Sequence, residues 1–542
     1  MGVQSRAAVW RRFVVVTILV GATAASGTAQ RRSSAVPPSP DDKTIVHVLN
    51  RIGFGPSPGD VARVREIGLA TYIDQQLDPS RVSDTDMESR LAEFKTLSMS
   101  TRDLAREYYM PAQMQRRQAQ RAKAAAAATP DMQMQPERRP QNGQQGERLV
   151  VTELMQQKVL RAAYSERQLE EVMVDFWFNH FNVFAGKGQT RTYLTEYERD
   201  TIRPRVFGKF RDLLGAVAES PAMLFYLDNW QSAAPESADT MQRRGRAAFR
   251  RPPTQPQPQN RRRGINENYA RELMELHTLG VDGGYTQKDV QEVARAFTGW
   301  TIDMPRQGGG FRFEPRMHDD GEKVVLGVKI RSSGGKRDGE QVLDILAKHP
   351  STSRFIAMKL ARRFVADEPP ASLVDRAAAR FRDTGGDIRE VVRTIVTSPE
   401  FFSASARRAK VKTPFEFVVS AVRAAEVDLP DGLPLVQTLR QLGMPLYMCQ
   451  PPTGYSDKAD AWVNTGALLN RMNFAVALSS NRLGRGGRPG SPRAAAPATA
   501  DQIAQAVLAG ELADNTVQTV AKATNEAQRI ALLLGSPDFQ KR

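Results

Sequence analysis

Residues 266–300 spell out two helices and the turn between them, and whatever fold the chain adopts must bury both. Asn266 stands where an N-cap belongs, and Tyr269, Leu273, Leu276, Leu279 and Gly280 recur at helical spacing as one apolar arc. Gly280 suits a left-handed stop, and Gly283-Gly284 a tight turn. Thr286-x-x-Asp289 reads as the cap of a second helix, whose stripe is Val290, Val293, Ala294 and Phe297 and which Gly299 ends. These glycines are punctuation. None follows a strand as a phosphate-binding loop requires, which excludes a nucleotide fingerprint.

The first of these helices carries the most pointed chemistry. On a helical wheel Glu272 falls inside the apolar arc, while Glu275 lies at one edge and His277 at the other, about 140° from Glu272. Glu267, Arg271 and Glu275 are spaced i, i+4, i+8 and suit a charge ladder. A carboxylate among leucines must be paired, hydrogen-bonded, metal-bound or protonated, and an internal arginine is its plainest partner.

Helical spacing dominates the rest of the chain. Ser57 caps a helix that has Pro58 at its first position, and Ser165-x-x-Gln168 reads as a capping box. Leu169, Val172, Met173, Phe176 and Trp177 then form an apolar arc that contains His180, where a neutral core histidine competes with a site role. His349-Pro350 ends a helix, and a dipole interaction at that C-terminus accounts for the histidine. Ser398-Pro-Glu-Phe401 and Ser536-Pro-Asp-Phe539 repeat one cap signature. The β segment is Phe311-Arg-Phe313, the turn His318-Asp319-Asp320-Gly321 and Lys323–Leu326, together one hairpin. The pattern predicts a mainly α fold: a multi-helical domain of stacked helix pairs with one small β-hairpin and disordered inserts.

The formal net charge of +16 invites a nucleic-acid reading until it is located. Residues 1–34 hold five arginines and no acid; 111–148 hold seven basic and three acidic residues; 231–264 hold eight and two. Nearly the whole surplus therefore lies in a leader and two Pro/Gln/Arg-rich inserts rather than on a recognition face, which disfavours specific nucleic-acid binding. Arg6, Arg11 and Arg12, the apolar run Phe13–Val20 and the small residues that follow have the layout of a signal peptide over 1–29. The run is too short to span a bilayer, so no transmembrane segment is expected in the mature chain, whose expected place is the periplasm or, extracellularly, the medium or the cell surface. A linker follows at 30–42, then a helical domain over 43–480 interrupted by the inserts, a linker at 481–500 and a C-terminal helical segment at 501–542 of the same domain. Cys449 is the only cysteine, which excludes an intrachain disulfide and reads as a buried packing residue.

Several blocks, Asn266-Glu-Asn-Tyr-Ala-Arg-Glu-Leu-Met-Glu-Leu-His-Thr-Leu-Gly280, Gly284-Tyr-Thr-Gln-Lys-Asp-Val290, Thr298-Gly-Trp300, Phe176-Trp-Phe-Asn-His-Phe181 and His318-Asp319 with Lys323-Val-Val-Leu-Gly327, resemble the bacterial domain-of-unknown-function family 1800. So does His47 with Asn50-Arg-Ile-Gly-Phe-Gly55. The resemblance implies an exported, mainly helical protein without an established activity, and as partner an exported sulfatase-like protein of domain-of-unknown-function family 1501. At Pro451-Pro-Thr-Gly-Tyr455 the chain departs from the family, where a Gly-Trp pair is more usual.

Two functions fit this inventory. One is a helical scaffold, or a partner-binding and maturation factor, for another exported protein. The other is a secreted hydrolase with catalytic candidates Glu272, His277 and Asp319, and with His180, His277 and His318 as candidate ligands of a divalent metal. No segment carries His-x-x-x-His or Glu-x-x-His spacing, and the one Gly-x-Ser-x-Gly match, Gly55–Gly59, follows a short helix and reads as the cap at Ser57 rather than as a strand-to-helix nucleophile elbow.

Overall fold

The computed structural model describes residues 34–128, 142–235, 264–483 and 498–542. The expected leader and the middle portions of both inserts and of the 481–500 linker lie outside them. Helices carry nearly all of the regular structure, as the apolar periodicity requires.

The Gln168–His180 helix lies deep, with ten of its thirteen residues buried. Its surroundings explain why: the Asp42–Ile52, Leu69–Leu77 and Asn142–Tyr164 helices all pack against it. Trp177 is fully buried and lies against Phe181 (ring centroids 5.9 Å apart) and Phe210 (5.9 Å), which in turn meets Phe381 at 5.6 Å. This aromatic chain joins the deep helix to a series of stacked helices, Lys336–Lys348, Pro350–Phe364, Ala371–Asp383 and Ile388–Val396. Large aromatic side chains bury the most apolar area per residue, so this junction anchors the core.

The C-terminal segment belongs to the same unit. The Glu526–Gly535 helix packs on Thr465–Ser479, and Ala500–Leu508 on Asp42–Ile52. The last residues run antiparallel beside 410–412: Arg542 N donates to Lys410 O (2.8 Å) and Lys412 N to Gln540 O (2.9 Å).

Five local expectations need correction. Ser57 caps no helix: the Asp60–Ile67 helix follows Gly59, and Ser57 N donates to Asp60 Oδ2 (2.8 Å). Phe311–Phe313 and Lys323–Val325 do not pair with each other. Strand β1 (Trp300–Ile302) pairs with β2 (Phe311–Phe313), and β3 (Lys323–Val325) with β4 (Val328–Ile330), in two separate antiparallel hairpins. The second turns at Leu326-Gly327, both at positive φ, the tight geometry that a two-residue loop demands. The Ser165–Gln168 box does not form, because the Gln168 amide instead accepts from Phe54 N and donates to Ser165 O and Ala162 O. His349 does not serve the helix it ends: its Nδ1 accepts from Ser351 N and caps the next one. The first insert is helical on both flanks, through Ala128 and again from Asn142, since Ala, Gln, Arg and Lys are strong helix formers despite their polarity. The second insert leaves and returns at one place, where Ala233 N donates to Gly264 O.

Candidate functional site

The first helix of the 266–300 stretch runs Glu267–Glu275, with the Asn266 side chain capping Tyr269 N (3.2 Å). It ends earlier than the apolar arc suggests. Thr278 Oγ1 donates back to Leu273 O (2.7 Å), His277 N reaches Glu272 O, and Gly280 at φ 84° lies against Phe355. The wheel therefore fails at its last residues, and His277 turns inward off the helix end.

There it meets His180. The two imidazole centroids are 6.3 Å apart, and His180 Nε2 lies 3.1 Å from the His277 carbonyl oxygen. The other His180 nitrogen, Nδ1, is 2.9 Å from Lys359 Nζ. An ammonium can only donate, so Nδ1 accepts and Nε2 carries the proton given to His277 O. Burial holds both imidazoles neutral: His180 is pushed well below its ordinary range and His277 down to about 3, with the Lys359 charge acting in the same direction. Burial also pushes the Lys359 ammonium down to about 8, against the opposing pull of Asp457. The His277 ring is buried against Phe181 (5.1 Å), and its Nε2 has no hydrogen-bond partner.

Glu272 is half-buried, and no hydrogen bond or ion pair reaches its carboxylate among the described residues. Desolvation, reinforced by Glu275, raises its pKa, and Arg271 only partly opposes this. The expected arginine partner is engaged elsewhere. Arg271 donates to Gln287 Oε1 (2.7 Å), Gln287 donates to Glu267 (2.7 Å), and Glu275 accepts from Tyr285 (3.2 Å), so no charge ladder forms.

A loop over 445–455 closes one side of this region. Asn179 accepts from Tyr455 N (2.7 Å) and donates to Tyr455 O (2.8 Å), while Asn182 donates to Cys449 O and Pro451 O. Tyr226 OH donates to Gln450 O (2.7 Å), and the Glu272 charge raises the Tyr226 pKa further above what burial sets. Gly454 has φ 74°, and a Cβ there would stand 2.3 Å from Asn179 O, so only glycine fits. Cys449 is buried and its thiol is pushed up to about 11, which suits packing rather than nucleophilic attack.

A family model described as a protein of unknown function (DUF1800) matches residues 47–541. The chain belongs to this family. No curated protein and no solved structure matches it. Two motif blocks of this DUF1800 chain, Phe176–Phe181 and 266–280, thus meet at the His180–His277 contact.

The His318 block forms a network of its own. His318 Nδ1 lies 2.8 Å from Thr298 O and Nε2 3.2 Å from Asp338, which also accepts from Lys323 Nζ at 2.7 Å; all three side chains are fully buried. Asp319 is gripped by both arms of the Arg295 guanidinium (2.9 and 3.0 Å). Burial alone would raise its carboxyl, but that pairing holds it below the usual range. The three candidate histidine ligands are thus divided between two networks, and among the described residues no group of three or more His, Cys, Asp or Glu side chains is placed to hold a metal ion.

Sequence reasoning missed Lys359, Asn179 and Asn182. Asn179 precedes His180 in a block already singled out and Asn182 stands just past its end, and polar residues beside an apolar arc were the available signal. Lys359 gave none, since it sits on an ordinary amphipathic helix.

Proposed function

We propose that this DUF1800 protein is an exported helical scaffold that docks a second exported protein on the face of the Thr465–Ser479 helix left open by its packing. One observation carries the reading. Phe474, Ala475 and Leu478 of that helix are buried, while Val463, Leu468, Leu469 and Val476 remain 51, 45, 62 and 40% exposed. No charged residue occurs from Val463 to Asn470. A contiguous apolar face in an uncharged stretch is the usual mark of an interaction surface, and its counterpart must itself be apolar and uncharged. The sulfatase-like exported family that the sequence resemblance implies is the partner class to try first.

The test mixes the purified protein with an exported sulfatase-like protein of the family that the resemblance implies and follows co-elution and affinity. Leu468→Asp with Leu469→Asp should weaken the complex at least about tenfold while leaving the thermal midpoint unchanged, because both side chains already face water. A wild-type protein that forms no complex, or a double variant that binds equally well, contradicts the proposal. Self-association lost on the same substitutions would identify a second copy as the occupant.

A hydrolase is the second reading, favoured by Glu272: a half-buried carboxyl with raised pKa and no partner is poised for acid–base work. Its site would be Glu272 with His277, beside the Lys359–His180 pair. The metal-dependent form would need His318 to join His180 and His277, across two networks. Loss of an identified hydrolysis in both Glu272→Gln and His277→Ala, with folding intact, would support it.

A further inference from the structure

We propose that the cavity between the Asp42–Ile52 helix, residues 407–412 and the last residues of the chain binds one tetrahedral oxyanion, a phosphate or a sulfate, either free or as the terminal group of an ester.

The cavity lining is strongly one-signed. Arg407, Arg408, Lys412 and Arg542 line it together with Lys43, which is paired at 2.7 Å to Glu511, the one carboxylate side chain in the lining. Lys541 also lines the cavity. Of the other cations there, Arg542 and Arg408 are ion-paired, whereas Lys412 and Arg407 have no carboxylate at ion-pair distance among the described residues. Lys412 is buried, and its ammonium donates to the Ser420 hydroxyl (2.8 Å) and lies over the face of Phe539 (3.8 Å), with no carboxylate at ion-pair distance among the described residues. Arg542 shares Glu416 with Arg363, and its Nε and Nη1 are buried without an acceptor. Arg407 donates to Thr44 Oγ1 (2.8 Å), and no carboxylate among the described residues lies at ion-pair distance from it, although its charge is felt at Asp41. Arg408 does have an acidic partner, Asp538 at 3.1 Å. Removing an ammonium from water without a counter-charge is costly, so a folded chain that keeps Lys412 here gains from an anion brought in.

Two further observations converge on the same cavity. Burial pushes Lys412 down to about 7, with Arg542, Arg408 and Arg471 adding to the push and Glu416 resisting it. A bound anion would reverse that field. Arg408 and Ala509, both in the lining, hold left-handed backbone (φ 53° and 49°), a strain that persists only where surrounding structure fixes it. Size selects the ligand. The cavity measures about 40 Å³, and one water needs roughly 10–15 Å³ by that kind of measure. The space therefore admits a few water-sized groups, the scale of a small oxyanion and too little for a nucleotide.

The test is titration calorimetry of the full mature protein with inorganic phosphate, sulfate and glycerol phosphate, at constant ionic strength set with chloride. Inorganic phosphate should bind once per chain and raise the thermal midpoint. Lys412→Met should weaken binding about tenfold or more, and it should raise the midpoint of the anion-free protein, because the unpaired charge goes while the apolar stem stays. Arg407→Gln, which loses one hydrogen bond to Thr44, should fold as wild type and still bind several-fold more weakly. Glycerol phosphate binding as tightly as phosphate assigns the site to an ester terminus; exclusion of glycerol phosphate assigns it to the free ion. Absence of saturable binding, meaning that the chain neutralises the cavity by itself, overturns the proposal. So does wild-type affinity in both variants.

Discussion

Lys359 holds its charge where the fold offers one imidazole nitrogen and no carboxylate at ion-pair distance. Its folded pKa of about 8 lies below the ordinary 10.5. Between those values the unfolded chain binds more protons, so this group's contribution to stability rises with pH. The penalty it imposes is fully present below pH 8 and relieved by about pH 10.5. Denaturation of wild type and Lys359→Met at pH 7.5 and 10 should therefore show wild type gaining on the variant by on the order of 1–3 kcal/mol. A difference independent of pH would remove Lys359 from the account. Gly454 makes a steric prediction instead. Gly454→Ala puts a methyl 2.3 Å from Asn179 O at a left-handed φ, so it should cost about 2 kcal/mol or more and expose the 445–455 loop to proteolysis. The glycine was visible in the sequence, but the asparagine that forbids a side chain there lies some 275 positions away in the chain.

Elements were legible where their determinants are local. Thr286 and Asp289 form the reciprocal cap their spacing announces, and both Ser-Pro-acid-Phe tetrapeptides cap the phenylalanine N–H through the serine hydroxyl. Strand partners were not legible, because β2 has two neighbours in sequence and only tertiary packing selects β1. The end of the Glu267–Glu275 helix was missed for a similar reason: Leu276 and Leu279 continue the apolar period, but the Thr278 hydroxyl competes for the backbone carbonyls. Asp289 also accepts from Leu326 N (2.7 Å), coupling the cap to the β3–β4 turn. Thr286→Ala should cost about 1 kcal/mol. Asp289→Ala should cost roughly 2 kcal/mol, since it loses the hairpin bond as well. Urea denaturation separates the two. Equal costs would show that the turn contact contributes nothing.

At the scale of the molecule, counting charges along the chain located the surplus in the leader and inserts but could not find the basic cavity. Its residues come from 43–50, 407–412, 507–511 and 541–542, and only folding assembles them. The same assembly makes the final residues structural. Phe539 is fully buried, and Arg542 pairs with the buried Glu416. Deleting residues 537–542 strips Glu416 of one of its two guanidinium partners and opens the 410–412 edge, so it should lower the thermal midpoint by about 10 °C or more. A midpoint unchanged by the deletion would contradict that role. The fold class and family were readable because amphipathic periodicity and motif blocks are properties of the chain. The open face of the Thr465–Ser479 helix was not, since an apolar helix reads the same whether one face or all are covered. Docking on that face is the central claim. Hydrogen exchange across residues 463–477, measured with and without the sulfatase-like partner, tests it most directly. Exchange in this segment should slow on complex formation, and a complex that forms while the segment exchanges at its free rate would rule out docking there.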